Sequence, residues 1–176
     1  ETFIGSAEKA VDAIKKIKPE ALNYPFDTKE LVKANQMLIV TGESADDTRK
    51  TIGALADAIA LTGGGNDELS RMASNLQQIK NVGKASAQDI KQFGYAGIDI
   101  YGLLAKTTGK SVKELKKMDI TYDDITKALQ VAASEGGKYY KGQERMTQTL
   151  KTIKYSMLSQ VVRIMLNFVS RTVFLW

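Results

Sequence analysis

Several short words in this 176-residue chain combine residue types and spacings that could do chemistry. Gly109, Lys110 and Ser111 look like the end of a phosphate-binding loop, where backbone amides and a lysine cradle a nucleotide. Asp119, Asp123 and Asp124 gather carboxylates of the kind that hold a calcium ion. Lys106, Lys110, Lys113, Lys116 and Lys117 are the densest basic cluster. Tyr139 and Tyr140, just after Gly136 and Gly137, could stack on bases or pack at an interface.

The context of each word decides its reading. A phosphate loop needs a further glycine upstream and a preceding strand. Leu104 stands where that glycine should be, and residues 98–107 read as helix. Gly109 and Ser111 are therefore expected to end one helix and start the next, with no nucleotide bound. The aspartates lack the central glycine of a calcium loop and sit at a helix start, where carboxylates interact favourably with the helix dipole. The paired tyrosines read first as one core residue and one at its rim, then as an interface, and only third as base-stacking groups. On a helix from Ser111, Lys113 and Lys117 share a face while Lys116 sits off it. Arg145 is the only arginine between residues 72 and 162, and arginine is the preferred fork for bases and phosphates. DNA contact is thus expected to be weak and non-specific.

The chain has no histidine and no cysteine. That removes the commonest general acid/base, the usual zinc ligands and any thiolate nucleophile. No nucleophile–base pair stands out, so the reading is not an enzyme, with no catalytic residue, cofactor or metal. Charge is uneven: residues 1–79 carry 9 basic and 12 acidic side chains, residues 80–154 carry 14 and 8. Such a basic half attracts phosphate or an acidic protein surface. The chain opens on Glu1 without a methionine and reads as a fragment or processed product, and no signal peptide is visible.

These words must be positioned by helices. One is expected over Ser6 to Lys18, stopped by Pro19. The next opens at Asp27 with Glu30 as a capping box and buries Leu31, Ala34 and Leu38. A third follows Ser44 and buries Ile52, Leu55 and Ile59. A fourth runs from Asn66, with Leu69, Met72, Leu76 and Ile79, to Gly83. Shorter helices follow: one after Ser86 with Ile90 and Phe93, ending towards Gly94 and Gly97, and one with Ile100, Leu103 and Leu104, ending at Gly109. The next runs from Val112 to Met118 behind Ser111. Another starts at Thr121 and carries Ile125, Ala128, Leu129 and Ala132 to Gly136 and Gly137. From Tyr139 a long terminal helix is expected. The class is all-α: a compact multi-helix domain of short glycine-punctuated helices with a long C-terminal helix. Its parts are residues 1–25 (helix and linker), 26–150 (helical domain) and 151–176 (apolar terminal helix). In that last part Leu158, Val161, Met165 and Phe168 follow a three–four alternation, yet Arg163 and Arg171 argue against a free membrane span. A helix apolar nearly all round must be buried against something. Another protein chain or a continuation is expected there, with interfacial membrane contact as the second reading.

The order of words from residue 26 to 150 resembles the N-terminal region of tail tape measure proteins of long-tailed bacteriophages or prophages. The resemblance is carried by Leu31, Ala34 and Leu38, then Gln77, Gly83 and Lys84. Asp89, Ile90, Gln92, Phe93, Ala96 and Gly97 follow, then Gly109, Ser111, Val112, Glu114 and Leu115. Gly136, Gly137, the tyrosine pair, Met146, Thr149 and Leu150 complete it. After Leu150 the family continues with a small or glycine residue and a polar helix, whereas residues 151–176 turn apolar. They read as an addition foreign to the domain or as an assembly element. The resemblance implies a structural protein of the virion tail that sets tail tube length and is assembled in the host cytoplasm. Its partners would be tail tube or tail assembly proteins, with self-association through the C-terminal helix. Glycines prevent a single rod of this chain, which at about 1.5 Å per residue would span about 260 Å, so a folded head domain is expected.

Overall fold

The computed structural model describes residues 25–173, with side chains described as far as residue 164. The helix expected over Ser6 to Lys18 and the side chains of Met165 and Phe168 lie outside the described residues. Among those residues there are eight helices and no strand. They are α1 (Thr28–Ile39), α2 (Ala45–Leu61), α3 (Asn66–Val82) and α4 (Ala87–Tyr95), then α5 (Ile100–Thr108), α6 (Val112–Leu115), α7 (Tyr122–Ala133) and α8 (Gly142–Val173). The all-α class and the long last helix are as expected.

Polar side chains set most of the helix starts. Ser44, Ser86, Ser111 and Thr121 each accept a hydrogen bond from the backbone N–H three residues on. Those amides have no partner inside their own helices. Asp89, Glu114 and Asp124 reach back to the N–H of Ser86, Ser111 and Thr121, closing reciprocal caps. Asp27 departs from the expected pairing with Glu30. Its carboxylate accepts from Asn66 Nδ2 at 2.8 Å while its N–H donates to Asn66 Oδ1 at 3.0 Å. A tertiary partner thus replaces the local cap and ties the N-terminal ends of α1 and α3 together.

The helix expected from Val112 to Met118 is also shorter, a single turn ending at Leu115. Beyond it the chain turns so that Ile120 is buried and its carbonyl accepts the Ala85 N–H at 2.7 Å. Burial of one isoleucine and pairing of one buried carbonyl thereby end a helix that local propensity would extend.

Helix α2 lies at the centre, packed against α1, α3, α7 and α8. Its residues Ile52, Leu55 and Ile59 are fully buried as expected, and Ala54, Ala56, Ala58 and Ala60 are buried too. The alanines let neighbouring helices approach on the sides that the larger residues do not fill. Leu69, Met72, Leu76 and Ile79 of α3 complete the layer beside it, and the core continues through Phe93, Ile98, Ile125 and Leu129 to Tyr139. Lys80 of α3 pairs with Glu43 in the α1–α2 turn and lies 4.5 Å from the ring centroid of Tyr122. That contact links three parts of the chain near the surface of the core.

The last helix is seated by a close backbone approach. Gly142 lies so near α2 that a Cβ there would collide with the backbone carbonyl of Asp57. Overpacking a tight contact costs typically 1–3 kcal/mol, so Gly142→Ala is expected to lose roughly 2 kcal/mol of stability. The measurement is the urea midpoint, and an unchanged midpoint would show that α8 is not seated in this way.

Candidate interaction surfaces

The sequence before α8 offers no serine, threonine, asparagine or aspartate to cap it. Asp57 of α2 takes that role across the fold. Its Oδ1 accepts the Gln143 N–H at 3.0 Å and Gln143 Nε2 at 3.1 Å. Gln143 is 4% exposed, so these bonds form away from bulk water. Burial pushes the Asp57 carboxyl above its ordinary value, and the hydrogen bonds from Gln143 and then Gly142 oppose that shift. Upstream, the Tyr139 N–H donates to the Ala132 carbonyl at 2.7 Å, clamping the glycine turn after α7. Tyr139 is fully buried and Tyr140 stands at the rim, the arrangement read first from the sequence.

Beyond this anchor α8 leaves the body. Met146 still packs on the core, but every residue from Gln148 to Ile164 is exposed. At about 1.5 Å per residue the part beyond Thr147 projects roughly 40 Å. Leu150, Ile153, Met157, Val161 and Ile164 are all exposed. Their spacing puts them on one face, in line with Met146. Leu158 and Val161, singled out from the sequence, are exposed on or beside this stripe. The series Leu158, Val161, Met165 and Phe168 expected from the sequence shares Val161 with this stripe, and the same three–four spacing followed upstream from Val161 leads through Met157, Ile153 and Leu150 to Met146. Among the described residues no helix is long and apolar enough to cross a membrane.

Two members of the lysine cluster face different clefts. Lys106, Lys110, Lys113, Lys116 and Lys117 are all exposed. Lys106 lines a cleft between α5 and α7 with Lys138, whereas Lys116 lines a groove beside α4 with Lys91. Acidic residues nearby are engaged elsewhere. Hydrogen bonds from the Ser111 side chain and then its backbone hold the Glu114 carboxyl below its ordinary value. Asp124 caps α7, and Asp119 pairs with Lys84 at 2.9 Å. Gly109 ends α5 with a left-handed φ of 71° and Ser111 caps α6, so the phosphate-loop look-alike is a helix boundary. Gly83, Gly97 and Gly136 likewise have positive φ, while Gly137 packs tightly against the Ala132 backbone.

A sequence profile described as tape measure protein matches residues 1–167, which takes in the body and most of α8. No curated protein and no solved structure matched the chain.

The Asp57 cap carries a pH signature. A carboxyl whose folded-state value is raised stabilises the fold below its unfolded value, about 3.9 for aspartate. That contribution is lost as pH rises through the raised folded value. Asp57→Asn keeps an acceptor oxygen for Gln143 and removes the titration. Stability of the variant relative to the parent, from urea unfolding, should therefore increase with pH across this window and level off above it. A difference independent of pH would contradict a desolvated carboxyl at the start of α8.

Proposed function

The chain belongs to the tape measure protein family, structural components of phage tails, and from that premise we propose that residues 26–150 are a head domain holding α8 as an assembly element. The domain contacts tail tube or tail assembly proteins while the parent protein sets the length of the tube, in the host cytoplasm where the virion tail is built. One observation carries the assembly role: a helix fixed at its first turn by Asp57 and Gly142 presents an unpaired apolar stripe along its projecting length.

Isolated helices are marginal in water, because few of their hydrogen bonds repay the ordering of the chain. Burying a leucine, isoleucine or methionine side chain contributes about 1.5–3 kcal/mol. A stripe of five such groups therefore favours a partner strongly. A second copy of the same helix supplies a matching stripe without any other component. The anchor at α2 fixes the direction in which α8 leaves each head.

Leu150→Glu combined with Met157→Glu puts two charges into the stripe and leaves the core untouched. Light scattering over rising concentration should show association of the parent chain and a monomer for the variant, with the same helical melting of the body. In a phage carrying this pair, electron microscopy should show missing tails or tails of irregular length. A parent chain that stays monomeric at every concentration, or normal tails in the variant phage, would sink the assembly role of α8.

A further inference from the structure

A groove of about 660 Å³ lies between α4 and the start of α5, and no residue of α8 lines it. Its floor is the top of the core, where Ile90, Ile98 and Ile100 are almost fully buried, the half-buried Tyr101 adds apolar wall, and Lys91 and Lys116 stand beside them. Neither lysine forms an ion pair with a described residue; Lys116 lies 5.7 Å from the ring centroid of Tyr101. The one carboxylate among the described lining residues, Asp99, accepts the Gly102 N–H at the start of α5 at 2.9 Å. The groove therefore has an apolar floor and, with two lysines against the one carboxylate among its described lining residues, a net positive edge.

Gly94 leaves this space open. It sits within α4, its φ is not positive, and a Cβ built on it meets nothing within 4 Å. Alanine would favour the helix more, since glycine is a poor helix former. No close packing in the fold calls for glycine here, in contrast to Gly142. What the missing side chain does is keep the groove open.

We propose that this groove docks an acidic segment of a partner protein, which inserts an apolar side chain over Gly94 and sets carboxylates against Lys91 and Lys116. Charge complementarity selects that occupant. Nucleic acid matches the surface less well, because phosphates gain nothing from an apolar floor and no described residue of the lining is an arginine to fork them. The site is separate from the α8 stripe, so it stands or falls independently of assembly through that helix.

The test uses the full chain and a short fluorescein-labelled peptide in which two phenylalanines are set among aspartates and glutamates. Fluorescence anisotropy at low ionic strength should show saturable binding. Gly94→Leu, which fills the groove, should weaken it at least tenfold, and so should the pair Lys91→Glu and Lys116→Glu at exposed positions. Replacing the peptide's phenylalanines by alanine should weaken it equally. Gly94→Ala should melt no lower than the parent, as expected of a glycine the fold does not need. Undetectable binding, undiminished binding by both variants, or a lower melting point for Gly94→Ala would overturn the proposal. Duplex DNA that displaces the peptide and binds the Gly94→Leu chain equally well would overturn it too, and would identify a nucleic-acid surface instead.

Discussion

Helix α2 is in contact with α1, α3, α7 and α8, and a helix so enclosed can carry only side chains that fit between its neighbours. Its alternation of alanine with Ile52, Leu55 and Ile59 meets that requirement. On this helix α7 lies over Thr51 through Gln130, and α8 against the bare backbone at Asp57. Enclosure has an electrostatic consequence as well. A carboxylate on this helix is desolvated wherever a neighbour covers it, and Asp57 has its carboxyl value raised for that reason.

The same enclosure gives α8 its two contrasting ends. Its start is held by a buried glutamine, a carboxylate, a glycine in backbone contact and Met146 on the core, whereas every residue from Gln148 to Ile164 is exposed. Local stability should therefore be highest where the helix meets α2 and fall along the projection, where exposed backbone hydrogen bonds have no tertiary support. The apolar stripe lies on the weakly supported part. This is the arrangement expected of an element completed by a partner, consistent with a structural protein of the phage tail.

Capping chemistry also shapes the surface. Glu114 and Asp124 turn back onto the amides of Ser111 and Thr121, and Asp99 onto Gly102. These carboxylates remain charged but are directed at helix starts, so nearby lysines such as Lys91 and Lys116 have no ion-pair partner among the described residues. A positive surface thus arises from where the acids are engaged as much as from the number of lysines.

Helix order, the serine and threonine starts, the glycine ends and the apolar faces of α2, α3 and α7 were legible in the residues alone, because caps and periodic burial act over three or four positions. The family was legible in the order of words from Leu31 to Leu150. Three features were not. Asp27 turns to Asn66, α6 stops after one turn to bury Ile120, and Asp57 caps a helix that begins far along the chain. Each depends on a contact between distant residues, for which local sequence carries no period. The lysine cluster was likewise contiguous in sequence, yet Lys106 and Lys116 line different clefts. Sequence determined which helices form and that the last one carries an apolar stripe. Tertiary packing decided that no described residue covers the stripe, since the seating of Gly142 and Gln143 on α2 fixes where α8 leaves the body.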